Sequence, residues 1–184
     1  MWSFRSPRLT RLLAVLALAS LTAGCFQPLY GDRSVVPTAG LDGRLNGVQV
    51  PEIITPNGTP LARIGVNVRN ELIYNFTGGG SATAPTHKLV VNLKSTNQQL
   101  IVNVNTARPE IQNYGIDASY NLIDLATGKT VISGQTFSRV SYDIPGEQQR
   151  FSGARGRRDA EDRAAKVIAE NIRNRLASYF VAGS

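Results

Sequence analysis

Two stripes of apolar residues at helical spacing bracket a long block in which apolar residues alternate. That order constrains the fold more than any other feature of the chain. Leu61, Ile64, Val68, Leu72 and Phe76 recur at intervals of three and four and fall on one face of a helix. Ala160, Ala164, Val167, Ile168, Ile172, Leu176 and Tyr179 do the same near the end, with Arg and Glu on the opposite face. Between them, Leu89, Val91 and Leu93 alternate with Val90, Asn92 and Lys94, and Leu100, Val102 and Val104 alternate with Ile101, Asn103 and Asn105. Tyr114, Ile116, Ala118, Tyr120 and Leu122 form a further period-two run. Each of these elements has one apolar side that it must bury, which predicts helices laid on one face of a sheet.

Local signals set the boundaries. Thr59-Pro60 reads as an N-cap followed by a first-turn proline, and the glycines of Thr77-Gly78-Gly79-Gly80-Ser81 end that helix; Gly65 weakens it slightly. Leu45, Val48 and Val50, closed by Pro51, predict a first strand over residues 45–53, and Pro56-Asn57-Gly58 a turn after it. The apolar face moves from odd to even positions between Leu93 and Leu100, so Ser95–Gln99 is expected to hold a bulge or a break. Thr127-Gly128 joins the run ending at Leu122 to Val131–Tyr142 as an antiparallel hairpin, and Pro145-Gly146 opens the last helical stretch. The fold class is therefore α+β. It is a two-layer sandwich of two amphipathic helices on a mostly antiparallel four-stranded sheet in the order β-α-β-β-β-α. One domain of about 135 residues, 44–182, accommodates it. No internal repeat is found.

The first thirty residues follow a different code. Arg5, Arg8 and Arg11 precede Leu12–Leu21, ten apolar or small residues, and Thr22-Ala23-Gly24-Cys25 follows at once. Ten residues at about 1.5 Å each span roughly half of a hydrocarbon core, so the segment reads as a cleaved secretory signal rather than a spanning helix. Ala-Gly-Cys after a Leu/Ala run resembles the lipobox of bacterial lipoproteins, in which the cysteine thiol is acylated and the chain is cut before it. The alternative is an ordinary buried cysteine behind an uncleaved apolar start. Residues 1–24 are thus expected to be removed, and 25–43 to form a lipidated Cys25 with a Pro/Gly-rich linker. Each buried methylene contributes about 0.8 kcal/mol, so two or three acyl chains hold the protein on a membrane. Removal of the signal also corrects the charge. Of 20 basic residues three are discarded, leaving 17 against 13 acids, and the formal net charge drops from +7 to +4.

Catalytic and metal-binding readings find little support. Cys25 is the sole cysteine and His87 the sole histidine, which disfavours disulfides, thiolate zinc sites and His-dependent hydrolysis. His87 reads as a polar residue at a strand edge. Asp117 and Asp124 are seven residues apart and fall on opposite strand faces. Gly78-Gly79-Gly80 follows a helix rather than opening one, so it is no phosphate-binding loop. No cofactor or metal is implied, and no enzyme. Arg150 to Arg175 is rich in arginine, but Asp159, Glu161, Asp162 and Glu170 offset it, so an ion-paired helix face is preferred to a nucleic-acid surface. Lys88, Lys94, Arg108, Lys129 and Arg139 in the β region are better placed to grip phosphates, or are simple surface charges.

Cys25-Phe26-Gln27-Pro28-Leu29-Tyr30-Gly31 resembles the opening of the mature LPS-assembly lipoprotein (LptE) family, in which Cys, an aromatic and Pro-Leu-Tyr follow the lipobox. Many members have Cys-Gly-Phe, whereas here Phe26 follows the cysteine directly. Arg69-Asn70-Glu71-Leu72 is similar to that family's first helix, and the element order agrees along the mature chain. The resemblance implies a non-catalytic outer-membrane lipoprotein on the periplasmic side, since Phe26 is not the Asp that retains lipoproteins in the inner membrane. It implies a heterodimer in which the protein plugs, and helps assemble, a β-barrel translocon that delivers lipopolysaccharide to the outer leaflet. It also implies lipopolysaccharide contacts through basic side chains near a strand loop, for which Lys94, Arg108 and Arg139 are taken as candidates. The other reading is an adaptor lipoprotein of an envelope secretion or transport complex.

Overall fold

A computed structural model describes residues 41–80, 83–102, 109–144 and 150–182. Cys25, the segments on either side of it as far as residue 40, Arg108 and Pro145-Gly146 lie outside these. The order is α1 (Leu41–Asn46), β1 (Val48–Gln49), α2 (Pro60–Thr77), β2 (His87–Val102), β3 (Pro109–Asp124), β4 (Thr130–Asp143) and α3 (Arg150–Ala182). One four-stranded mixed sheet runs β1-β2-β3-β4, with β1 parallel to β2 and the other neighbours antiparallel. The α+β sandwich expected from the pattern is the observed one, with a third, short helix added.

That helix replaces much of the predicted first strand. Leu45 lies in α1, and only Val48 and Gln49 pair, with His87 and Lys88. Leu45, Val48, Val50 and Ile53 are all buried. The step of three from Leu45 to Val48 suits a helical turn as well as a pleat, and Pro51 has no N–H to extend a ladder. Beyond β1 the chain is held by a side chain instead: Arg69 Nε of α2 donates to the Val50 carbonyl at 3.1 Å.

α2 begins and ends where the sequence indicates. Pro60 stands in its first turn and Gly78, in the left-handed region at φ 62°, caps it by donating its N–H to Tyr74 O at 2.8 Å. Thr59 is not a side-chain cap. Its hydroxyl donates to Pro56 O at 2.7 Å, satisfying the turn rather than the helix. Ile64, Val68, Leu72 and Phe76 are buried as expected. α3 buries more than its predicted stripe: Ala165, Ala169, Ala177 and Phe180 join Ala160, Ala164, Ile168, Ile172 and Leu176, while Val167 is exposed. The helix packs on α2 as well as on the strands, so its buried face is wider than one stripe, and its alanines allow close approach.

β2 is one continuous strand through Ser95–Gln99. Two irregularities lie further on: Leu100 is the extra residue between Gln99 and Ile101, and Glu110 of β3 is the extra residue opposite the step from Ile101 to Val102. One inserted residue reverses the parity, as the pattern requires, at the strand's far end rather than its middle. β3 and β4 close through a turn in which Gly128 (φ 68°) donates to Asp124 O at 2.8 Å. Leu89, Val91 and Leu93, the even residues of β3 from Tyr114 to Leu122, and Ile132 face the helices. Each such fully buried aliphatic or aromatic side chain contributes about 1.5–3 kcal/mol relative to exposure.

Candidate functional site on the open sheet face

The helices cover one face of the sheet. Cross-strand rows define the other: Val90, Asn121 and Ser133; Asn92, Ser119 and Gln135; Lys94, Asp117 and Phe137; Thr96, Gly115 and Arg139. Apart from Val90 and Phe137 these rows are polar, charged or glycine, and Phe137 is 66% exposed. A groove of about 500 Å³ runs over this face, lined by Asn92, Lys94, Asp117, Ser119, Gln135 and Phe137 among others.

Arg139 is the best-fixed cation here. Its Nη2 donates to Asp117 Oδ1 at 2.7 Å, and its Nη1 to Ile116 O at 3.2 Å and Ser138 O at 3.0 Å. Its guanidinium carbon stands 5.5 Å from the centroid of the Phe137 ring. The side chain can lie flat only because residue 115 is glycine. A Cβ there would stand 2.8 Å from Arg139 Cδ and 2.5 Å from Thr96 Oγ1. Lys94 is the direct partner of Asp117 on the other side. One carboxylate is therefore flanked by two cations on adjacent strands beside an exposed aromatic ring.

Of the sequence candidates, the fold brings Lys94 and Arg139 into this one cluster, while Arg108 and Cys25 fall outside the described residues. Asp117 and Phe137 were not singled out as partners of these cations. The β4 alternation Gln135, Phe137, Arg139 carried the signal for Phe137, but Asp117's place depends on the pairing of three strands. His87 does sit at a strand start. Its Nδ1 is 2.9 Å from Thr86 Oγ1, its ring meets Phe180 edge-on at 5.3 Å, and burial lowers its pKa against the opposing pull of Asp124. The arginine-rich helix is ion-paired in part: Arg157 Nε donates to Glu161 at 3.1 Å and Arg163 Nε to Asp159 at 2.8 Å, while Arg63 of α2 also pairs with Glu161.

The domain is a two-layer α+β sandwich with helices on one sheet face and, among the described residues, a largely polar opposite face carrying Lys94 and Arg139. Three solved structures share the fold. A lipoprotein from Caulobacter crescentus CB15 matches at 23% identity and TM-score 0.60, over 79% of this chain and 98% of that one. Rare lipoprotein B from Shewanella oneidensis matches at 14% and 0.50, over 73% and 95%. Lipoprotein B from Nitrosomonas europaea matches at 14% and 0.50, over 74% and 83%. The model of the LptE family, described as lipopolysaccharide-assembly, matches residues 45–176, and the chain belongs to that family. No curated protein matches.

Proposed function

We propose that the protein is an outer-membrane lipoprotein, anchored on the periplasmic side through acylated Cys25 after removal of residues 1–24. In this reading residues 25–43 tether the domain, which plugs and assists assembly of a β-barrel that delivers lipopolysaccharide to the outer leaflet. Its role is non-catalytic. The observation that carries this reading, beside family membership, is the polar sheet face that none of the described helices covers. A barrel lumen is itself polar, and a sheet face presenting Asn, Ser, Gln and Thr in rows, with Val90 and Phe137 as its apolar members, suits such surroundings.

Lys94 and Arg139, with Arg108, are the proposed lipopolysaccharide contacts. Lipopolysaccharide pairs phosphates with acyl chains, and the cluster pairs cations with the exposed Phe137 ring. Replacing Lys94 and Arg139 by Glu is expected to weaken binding of purified lipopolysaccharide about tenfold, about 1.4 kcal/mol. The loss should shrink as salt is raised. Unchanged binding would remove the ligand site. The plug role is tested separately, by crosslinking from Asn92 and Gln135 in intact outer membranes. Capture of a large barrel protein is expected, and its absence contradicts the role.

A further inference from the structure

Asn92, Ser119 and Gln135 stand side by side on the open sheet face with their hydrogen-bonding capacity unspent. Asn92 of β2 pairs with Ser119 of β3, and Ser119 with Gln135 of β4, so one row crosses three strands. At about 4.8 Å between strands the row spans roughly 10 Å. All of its members are exposed, and none makes a side-chain hydrogen bond with another described residue. The rows on either side differ. In one, Ser133 donates its hydroxyl to Asn121 Oδ1 at 2.8 Å, which closes that pair on itself. In the other, Asp117 already accepts from Arg139 of the row beyond.

Phe137 follows Gln135 by two residues along β4 and lies on the same face, and both line the groove together with Asn92 and Ser119. Each amide offers two N–H donors and a carbonyl acceptor, and the serine hydroxyl both donates and accepts. The row carries no charge, so it adds nothing that selects a phosphate. An acyl chain laid over it would leave every one of these groups unpaired. A pyranose matches both parts of the surface. Its hydroxyls donate and accept as the row does, and its C–H face is apolar enough to lie on an aromatic ring. Strand faces of OB-folds hold oligosaccharides too.

We propose that Asn92, Ser119, Gln135 and Phe137 form a saccharide subsite that takes an uncharged pyranose, the amides and hydroxyl holding its hydroxyls and the ring its apolar face. The inference deepens the lipopolysaccharide reading and rests on it. Phosphates of the ligand go to Lys94 and Arg139, and a neutral sugar of the same molecule goes to the adjoining row.

Two probes test it: intact lipopolysaccharide, and the oligosaccharide released from it and stripped of acyl chains and phosphates. Titrating the oligosaccharide into the isotope-labelled protein is expected to shift the side-chain amide signals of Asn92 and Gln135 and to leave that of Asn70, exposed on α2, in place. Asn92→Ala combined with Gln135→Ala is expected to weaken oligosaccharide binding about tenfold. Phe137→Leu keeps an apolar side chain but loses the ring, and is expected to weaken it about fivefold. Unchanged affinity in these variants overturns the subsite. If the oligosaccharide leaves the Asn92 and Gln135 amides unmoved while intact lipopolysaccharide still binds, the subsite falls and the phosphate contacts stand. A protein that binds neither probe overturns both readings. Should a variant unfold, the amide shifts of the unaltered protein decide alone.

Discussion

Arg139 is held by what residue 115 lacks. Gly115→Ala places a methyl against Arg139 and Thr96, with Thr96 Oγ1 2.5 Å from the new Cβ. Overpacking of this kind typically costs about 1–3 kcal/mol, and urea denaturation of the variant is expected to show it. Asp117 acts on the same arginine. Both side chains are about two-fifths exposed, so their pair contributes on the order of 0.2–1 kcal/mol. Asp117→Asn is expected to leave stability nearly unchanged and to tighten lipopolysaccharide binding about two- to fivefold, because the guanidinium no longer has a competing anion. Weaker binding in a titration of that variant would contradict this. Lys94 and Arg139 were legible in the sequence as cations in strands of known parity. Their meeting around Asp117 was not, because it follows from long-range pairing that no local pattern encodes.

Among the elements, α2 and α3 are joined by a buried charge. Glu161 is 1% exposed, while its partners Arg63 and Arg157 are 46% and 40% exposed. The two ends of this cluster should respond unequally. Losing the carboxylate leaves two arginines that can turn to water, so Glu161→Gln is expected to cost only about 1–2 kcal/mol. Replacing both Arg63 and Arg157 by Met strands a buried charge and is expected to cost about 3–5 kcal/mol. Comparable losses in chemical denaturation would contradict this asymmetry. The long elements were readable because their periods repeat over many residues. α1 and the two-residue β1 were not, since four apolar positions over nine residues fit a helical turn and a strand alike. The bulge was readable in its existence but not in its place, because the polar run Ser95–Gln99 is compatible with exposed strand.

For the whole molecule, the sign of one pKa shift predicts how stability varies with pH. Burial lowers His87 below the ordinary histidine value of 6.5, so the folded protein binds fewer protons there than the unfolded chain. The contribution of neutral His87 is present above pH 6.5 and is lost as pH falls through the folded value. Stability followed by far-UV circular dichroism is therefore expected to decline with acid below about pH 6.5, and His87→Gln to flatten that slope. A second, lower window belongs to Asp124, whose pKa is lowered chiefly by the Ala126 N–H at 2.7 Å and which loses that bond on protonation. The chain belongs to the lipopolysaccharide-assembly family, and the function proposed for it is delivery of lipopolysaccharide to the cell surface. Depleting the protein from its own cells and measuring newly made lipopolysaccharide at the cell surface tests that claim most directly. The account predicts that surface lipopolysaccharide falls while synthesis continues; normal surface lipopolysaccharide alongside a protein-secretion defect would contradict it.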